Sequence, residues 1–454
     1  MLSTLFNAVR EKDIRKKLGW TFFILFIYRV GTHITVPGVN PSAMSEMASS
    51  GLMNILNIFS GGGLTNYSLF AMGVSPYVTA QIIVQLLQLD IVPRFVEWSK
   101  QGEVGRRKLN NATRWLTLVL AFVQSVGITA GFNSLSSYGL VSQTNSVMSF
   151  VVIGSVMTIG TFFAMWLGEM ITEKGLGNGV SMIIFAGIIA QAPEGFYEIF
   201  KENILQADSS DMLNGWIFVV VLVIAMILVV AFTTWSYEGT RRLQMQYTRS
   251  ATSYGSEAYL PLKVNVSGVI PVIFASSFIS TPQTVMLAFQ DKYSSAQWYQ
   301  IMQQIFSMTT LPGAILYTAL IVVFTYFYAF VQVNPDKLSE NLQKQGAYIV
   351  GVRPGAETKA FVSKLLLNLS FVGSIFLGVV ALVPLIASDV WGLNEKIGLG
   401  GTSLLISIGV ALDLIRQIDG LMQKKNYVGF ITKDQLAALS LIHISEPTRH
   451  AQSS

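Results

Sequence analysis

The chain has 454 residues, of which 52% are hydrophobic and only 12% are charged. Soluble domains carry about 25% charged residues, so the composition excludes an ordinary soluble protein and indicates a surface that largely faces lipid. The chain contains no cysteine and three histidines, His33, His443 and His450. The absence of cysteine excludes disulfides and cysteine-ligated zinc sites. The few histidines exclude most catalytic mechanisms that depend on histidine.

Ten apolar segments are long enough to cross a bilayer as helices. They lie at residues 18–36, 71–89, 113–133, 147–169, 178–194, 214–236, 264–288, 311–333, 361–388 and 398–418. We do not expect the first to be a cleavable signal peptide, because it lacks a small-residue cleavage site and is followed by further spans. The pattern predicts an all-α, multi-pass membrane protein.

The basic residues predict how these spans are oriented. Nearly all Lys and Arg residues lie on the alternate loops that share one side with the N-terminus, whereas Lys201, Lys292 and Lys396 lie on the other side. Because basic loops remain in the cytosol, we expect both termini to be cytosolic. An odd number of spans would break this alternation.

Residues 37–70, between the first two spans, contain three successive glycines, Gly61 to Gly63, and then a short apolar piece. That piece is too short to cross a bilayer. Glycine-rich backbone is tolerated at membrane depth only inside protein or along a water-filled cavity. Two interpretations stay open from these residues alone, an extracellular loop and a re-entrant half-helix.

The second span begins with helix-breaking residues. Gly73 and Pro76 interrupt the apolar run, which also places the polar side chains of Thr79 and Gln85 at membrane depth. Taken alone, this pattern favours a kinked helix whose polar groups bond neighbouring helices.

A glycine-rich turn is predicted between the fourth and fifth spans. Gly175, Gly177 and Gly179, with Asn178, permit a tight turn between two helices. The turn is not a phosphate-binding loop, because no Lys-Ser/Thr pair follows the glycines and no strand precedes them.

Two cytosolic loops carry arginines beside turn residues. Arg353 precedes Pro354 in the 8–9 loop, and Arg241 and Arg242 follow Gly239 in the 6–7 loop. These side chains are either solvated cations that set the topology or docking contacts for an acidic partner or for RNA.

Together, these motifs resemble the SecY family, the central subunits of bacterial protein-conducting channels, over nearly the whole chain. Matching stretches run from Tyr28–Gly31 to about Phe430 and include Gly102–Lys108, Leu260–Asn265, Gly268–Pro271 and Gly400–Ser403. The intact arginines of the two cytosolic loops favour the housekeeping type over accessory paralogues.

The resemblance implies a clamshell of two pseudo-symmetric five-helix halves with a re-entrant plug half-helix and a pore between the halves. Helix-breaking prolines, Pro76 and Pro271, lie inside spans two and seven, as such symmetry requires. We expect these regions: cytosolic N-tail 1–17, N-terminal half 18–194 with a plug at about 54–70, external hinge loop 195–213, C-terminal half 214–418 with cytosolic loops 237–263 and 334–360, and cytosolic C-tail 419–438.

The resemblance also implies a constriction of six apolar side chains. They fall at Val74, Val78, Val180, Ile184, Ile273 and Ile406. An apolar neck blocks ions by dewetting, and its soft side chains can pack round a passing chain of any sequence. Where isoleucine is usual in the family, three positions are valine, which predicts a slightly wider neck that depends more on the plug. The plug segment corresponds to Leu64, Thr65, Asn66, Tyr67, Ser68, Leu69 and Phe70.

Further sites are implied by the same resemblance. A lateral gate between spans 2–3 and 7–8 would use Thr79, Gln124 and Ser276, and Arg241, Arg242 and Arg353 would contact the motor ATPase SecA or the ribosome. The expected function is to pass secretory preproteins across the bacterial cytoplasmic membrane and to release membrane segments into it. Family members work with SecE and SecG and recognise signal sequences; neither catalysis nor a cofactor is expected.

A secondary transporter for small solutes would also explain ten spans and broken helices. Ion-coupled transporters, however, usually place ionisable residues near the bilayer midplane, whereas Glu169 and Asp413 are expected near cytosolic helix ends, where they would pair locally. An intramembrane protease would need a Ser–His pair or paired aspartates at depth, which the spans lack.

The last residues do not resemble the rest of the chain. The stretch LSLIHISEPTR at 439–449 reads like a translated sequencing-library adapter. We therefore expect residues 439–454 not to be native and exclude them from functional argument.

Overall fold

The computed structural model describes residues 10–40, 60–88, 91–135, 141, 147–206, 212–247, 258–308, 310–390 and 401–428. The expected tail at 439–454 and the first part of the expected plug, 54–59, lie outside these residues. In chain order the helices are α1 (Lys12–Gly31), α2 (Ser75–Leu87), α3 (Pro93–Lys100), α4 (Gly102–Leu135), α5 (Val147–Lys174), α6 (Gly179–Phe200), α7 (Met212–Glu238), α8 (Ile270–Leu287), α9 (Gln290–Tyr293), α10 (Gln297–Phe306), α11 (Leu311–Gln332), α12 (Pro335–Lys344), α13 (Ala356–Val390) and α14 (Gly401–Val428).

Ten of these helices, α1, α2, α4 to α8, α11, α13 and α14, correspond to the ten expected spans, which confirms the all-α, multi-pass prediction. Seven helices in the described part of the chain are long and apolar enough to cross a membrane. α2 has 13 residues, about 20 Å at 1.5 Å per residue. It is shorter than a hydrocarbon core of about 30 Å, because a segment of turns precedes it.

The expected external hinge loop at 195–213 is largely helical where the structure describes it. α6 continues through Pro193 to Phe200, and a π-helical turn follows at Lys201–Leu205. Charged residues end an apolar window without ending a helix, so the helix extends beyond the expected span; that 195–213 forms an external hinge stays a prediction. The helical hydrogen bonds continue into the polar segment outside the expected span.

The two large cytosolic loops form one antiparallel sheet. Strand β1 (Thr240–Tyr247) pairs with β2 (Ala258–Lys263) from its own loop and with β3 (Ala347–Ile349) from the loop after α12, in the order β2-β1-β3. The sheet packs on the start of α13 through Leu243, Leu262, Val362 and their neighbours. Two loops that are distant in sequence therefore make a single folded surface.

The apolar surface of the bundle is consistent with a lipid environment. α7 is the clearest case, because Leu228 and Trp235 are 64% and 73% exposed and few of its residues are covered by the rest of the chain. A helix that is apolar on all sides needs either lipid or another subunit around it.

Candidate functional site

The six residues expected to form a constriction all belong to, or pack against, one large apolar cluster that extends through the bundle, called the central cluster below. Val74, Val78, Ile184, Ile273 and Ile406 are at most 4% exposed. Val180 is partly buried and packs against the same cluster. The six residues come from both expected halves: α2 and its N-cap, α6, α8 and α14. The structure therefore places all six residues in or against the same apolar cluster, and that they form a narrow neck stays a prediction.

The two prolines start helices at this cluster rather than kinking them. Pro76 lies in the first turn of α2, two residues after Val74 at the N-cap, and Pro271 lies in the first turn of α8, two residues before Ile273. Proline suits a first helical turn because its missing N–H would have no partner there. Both prolines therefore lie inside the expected spans at points where a helix begins, and the ring residues of α2 and α8 lie near these helix beginnings.

The chemistry of the cluster follows from its side chains. All six are aliphatic, so none can donate or accept a hydrogen bond from a chain that passes between them. A narrow aliphatic neck is difficult for water and ions to enter. Such a site can seal against ions and can also accommodate side chains of different shapes.

The segment from Gly61 to Phe70, called the turn segment below, is a series of turns, whereas Ser60 directly before it is helical. The rest of the expected half-helix, at 54–59, lies outside the described residues, so its helical form there stays a prediction. Gly61 and Gly62 have φ angles of 64° and 85°, and Tyr67 has a φ of 43°. Residues in this left-handed region cannot continue a right-handed helix. Ser68 then forms an isolated antiparallel bridge with Thr35.

The last turn of α1 holds this segment in place. The Tyr28 hydroxyl donates to the carbonyl of Ser60 at 3.1 Å, and the Arg29 guanidinium donates to the carbonyl of Gly61. The Tyr28 ring also stacks on Phe70, with ring centroids 4.9 Å apart. Both ends of the turn segment are therefore attached to one helix.

The same segment contacts elements of both halves. Leu64 and Tyr67 lie in a second apolar cluster with residues of α4, α5 and α8, and the Tyr67 hydroxyl donates to Thr129 Oγ1 at 2.7 Å. Phe70 lies in the central cluster with the six constriction residues. The segment thus fills the space beside the neck and is continuous with it, although it is not helical.

The glycine-rich turn between α5 and α6 fixes the position of Val180 and Ile184. Its backbone N–H groups donate to side chains of other helices: Leu176 N to Thr21 Oγ1 at 3.0 Å, and Gly177 N to Gln417 Oε1. Gly177 has a φ of 81°, which a residue with a Cβ rarely adopts. The turn therefore joins α6 to α1 and α14.

A polar contact joins α2, α4 and α8 close to the central cluster. Thr79 Oγ1 of α2 lies 3.1 Å from Thr281 Oγ1 of α8, and Gln124 Nε2 of α4 donates to the same Thr281 oxygen at 3.0 Å. Thr79 and Gln124 thus share one hydroxyl partner, and their role in a lateral gate stays a prediction.

Ser276 does not join this contact. Its hydroxyl donates within α8, to the carbonyls of Val272 at 2.8 Å and Ile273 at 3.1 Å. Thr281, five residues further along α8, takes the place expected for Ser276. Sequence reasoning missed Thr281 because α8 carries several buried hydroxyls, and their spacing does not show which face packs against α2 and α4.

The cytosolic sheet presents the three arginines. Arg241 and Arg242 lie on β1, with both side chains exposed, and the Arg242 guanidinium lies 5.0 Å from the centre of the Tyr259 ring. The Arg353 side chain is 86% exposed in the loop after β3, 3.8 Å from Glu357. β1 and β3 are hydrogen-bonded neighbours, so the loop that carries Arg353 leaves the same sheet that carries Arg241 and Arg242.

A groove of about 510 Å³ lies on this surface. Arg241, Arg242, Tyr259, Ile349, Val350 and Phe361 are among the residues that line it. Its combination of guanidinium groups and apolar side chains suits a partner with acidic and apolar groups.

The charged residues near the cytosolic helix ends pair locally, as expected. Glu169 accepts from Arg114, with a shortest distance of 2.6 Å, and Asp413 lies 3.7 Å from Arg416.

Burial lowers the pKa of Lys263 at the end of β2, and the nearby Arg416 lowers it further. Within the described residues, no group of three or more His, Asp or Glu side chains could hold a metal ion.

Comparison with known proteins gives consistent matches. A family model described as SecY matches residues 68–415. The chain is 59% identical to protein translocase subunit SecY 1 of Lactobacillus kefiranofaciens subsp. kefiranofaciens, over 95% of this chain and 100% of that protein. It is 49% identical to protein translocase subunit SecY of Lactococcus lactis subsp. lactis (strain IL1403), over 94% and 98% of the two chains.

Solved structures with the same fold are also similar. One is a structure of a protein conducting channel, with a TM-score of 0.62 and 18% identity over 90% of this chain and 92% of that one. Another is Sec61 in the canine ribosome-channel complex, with a TM-score of 0.59 and 19% identity over 90% and 92%. At these identities the likeness establishes the fold.

Proposed function

The chain belongs to the SecY family, and we propose that it forms the channel of a protein translocase. In this proposal it passes unfolded secretory preproteins across the bacterial cytoplasmic membrane and releases membrane-protein segments laterally into the bilayer. The observation that carries the proposal is the central cluster, which contains or contacts six aliphatic side chains from both expected halves of the bundle. The chain provides a path and no bond-breaking chemistry.

The closed state is maintained by two neighbouring layers. The aliphatic neck excludes water. The turn segment at 61–70 packs beside it, with Phe70 in the central cluster and Leu64 and Tyr67 in the second apolar cluster. A translocating polypeptide must displace the turn segment and separate the ring side chains. The hydrogen bonds of Tyr28 and Arg29 to backbone carbonyls oppose this displacement without making it prohibitively costly.

Lateral release requires the helices around Thr281 to separate. Interhelical hydrogen bonds in membranes contribute about 0.6 kcal/mol each and at most about 1.7 kcal/mol. The contacts of Thr79 and Gln124 with Thr281 are therefore strong enough to favour a closed gate and weak enough for an apolar signal helix to open it.

The energy for transport comes from partners in this proposal. The arginine-bearing sheet docks the motor ATPase SecA or the ribosome, and SecE and SecG complete the membrane complex. A guanidinium contact with ribosomal RNA would be salt-sensitive and independent of sequence. In this proposal both termini lie in the cytosol, on the side of the sheet, and the distribution of Lys and Arg supports this orientation.

Reconstitution tests the role of the sheet. Vesicles would contain this chain with SecE and SecG, and SecA, ATP and a signal-bearing preprotein would be added outside. We expect protease-protected preprotein to accumulate only with ATP, and we expect Arg353→Glu to reduce this product severalfold, because charge reversal repels an acidic partner.

Lys344→Glu is the matched control for this variant. Lys344 is also an exposed cation near the sheet, and it pairs with Glu340 four residues away, as Arg353 pairs with Glu357. We expect Lys344→Glu to retain transport. Equal transport by both variants would remove Arg353 from the docking site, and no protection with any variant of an intact complex would contradict the proposed function.

A further inference from the structure

The segment between α8 and α11 lies on the face of the bundle opposite the cytosolic sheet, since α8 leads away from β2. It contains α10, a ten-residue helix with the sequence QWYQIMQQIF and no charged side chain. α10 packs against α8 and α11. The Tyr299 hydroxyl donates to the carbonyl of Met286, at the end of α8, at 3.0 Å.

The apolar side of α10 is wider than its contact with the protein. Tyr299 is 2% exposed and faces the bundle, whereas Trp298, Ile301 and Met302 are 55%, 48% and 44% exposed. At 100° per residue these three side chains share one face. The four glutamines of the helix occupy the opposite side. One part of the apolar face therefore packs on α8 and α11, and the other part has no cover within the described chain.

Aromatic residues continue this uncovered face. Trp298 lies 5.4 Å from the Tyr293 ring and 5.9 Å from the Tyr299 ring, and Phe289 lies 6.4 Å from Tyr293. Tryptophan and tyrosine concentrate where a bilayer meets water, because their rings are apolar and their N–H and O–H groups are polar. The cluster has the composition of an interfacial belt.

The uncovered face is also continuous with surface that must meet lipid. α11 begins a few residues after α10, and its first turns expose Leu311 at 77% and Ile315 at 62%. A helix that is apolar on one side, uncharged and adjacent to a membrane span fits the boundary between headgroups and acyl chains. Phospholipid is therefore the occupant that agrees with both the position and the chemistry of the face.

We propose that α10 is an interfacial anchor, which lies in the outer membrane–water boundary with Trp298, Ile301 and Met302 inserted among phospholipids. Through the Tyr299 bond it ties the outer end of α8 to the membrane surface. α8 also carries Ile273 of the central cluster and Thr281 of the polar contact. The anchor therefore restrains a helix that must move when the channel opens.

A pair of labelled variants tests the anchor without any transport assay. The chain contains no cysteine, so Ile301→Cys and Gln303→Cys each provide a unique attachment point for an environment-sensitive fluorophore. The two positions are two residues apart on opposite sides of α10. The reconstituted complex would be studied in phosphatidylcholine–phosphatidylglycerol vesicles, with headgroup-region spin-labelled lipid and aqueous iodide as alternative quenchers.

We expect the label at position 301 to emit at shorter wavelength and to lose fluorescence to the spin-labelled lipid, while iodide has little effect. The label at position 303 should show the reverse order. Equal iodide quenching at both positions would overturn the proposal. Protection of position 301 from both quenchers would also overturn it, because another protein or a second copy would then cover the face.

Discussion

At the residue scale, Thr281 joins two sides of the candidate gate through one hydroxyl. The hydroxyl lies 2.9 Å from the carbonyl of Ser277, accepts from Gln124 Nε2 and lies 3.1 Å from Thr79 Oγ1, where either hydroxyl can be the donor. A hydroxyl has one donor and two acceptor positions, which allows it to contact both neighbouring helices. One threonine therefore supports two interhelical bonds.

We predict that Thr281→Val weakens the closed gate. Two interhelical bonds of about 0.6 kcal/mol each total about 1.2 kcal/mol, which corresponds to about a sevenfold shift of the gate equilibrium at 1.4 kcal/mol per tenfold. Transport of a preprotein with a defective signal sequence should rise accordingly in the vesicle assay.

Ser276→Ala is the matched control, because the Ser276 hydroxyl bonds only to carbonyls of its own helix. It should leave signal-sequence dependence unchanged. If the Ser276 variant relaxed that dependence and the Thr281 variant did not, the assignment of the polar contact would be reversed.

At the scale of elements, the turn segment beside the neck contributes to the seal. Phe70 is 1% exposed, stacks on Tyr28 and belongs to the central cluster. Phe70→Ala should therefore open a void next to the neck and raise the ion conductance of the idle channel in single-channel recordings. Removal of Leu64–Phe70 should raise it further, because the second cluster is lost as well.

Two comparisons keep this prediction specific. Phe371→Ala makes the same change on α13, where the ring is 58% exposed toward lipid, and should not alter conductance. Val180→Ile adds a methylene to the one ring residue that is only partly buried, and it should reduce the leak of the deletion variant. An unchanged conductance after the deletion would show that the neck seals by itself.

Much of the site could be predicted from sequence, and the exceptions have physical causes. The family resemblance pointed to six aliphatic positions that all lie in or against the central cluster, because each position is tied to a proline or glycine motif such as Pro76 or Pro271. The non-helical form of the turn segment was missed, because its left-handed residues include Tyr67 as well as glycines. The partner of Thr79 depends on how α8 is rotated about its axis. Because α8 carries several hydroxyl side chains, its sequence does not show which of them faces α2.

At the scale of the whole molecule, the cytosolic sheet was also beyond the sequence analysis. Its register joins Met245 to Ile349, about a hundred residues apart, across the five helices α8 to α12. Each loop alone carries only a short polar stretch with a few apolar residues. Strand pairing of this kind is determined by which helices pack together, and it places the arginines of both loops on one surface.

In the proposed mechanism, a polypeptide passes between the two halves through the aliphatic ring. The most direct test of this path uses a preprotein with one cysteine, stalled during transport, and three single-cysteine variants of this otherwise cysteine-free chain. Ile184→Cys and Ile406→Cys lie in the ring, one from each half, and Val220→Cys lies on the lipid-facing surface of α7, 51% exposed. We predict disulfide cross-links to the stalled preprotein at both ring positions and none at position 220; cross-linking at neither ring position, with the preprotein stalled in an intact complex, would contradict the account.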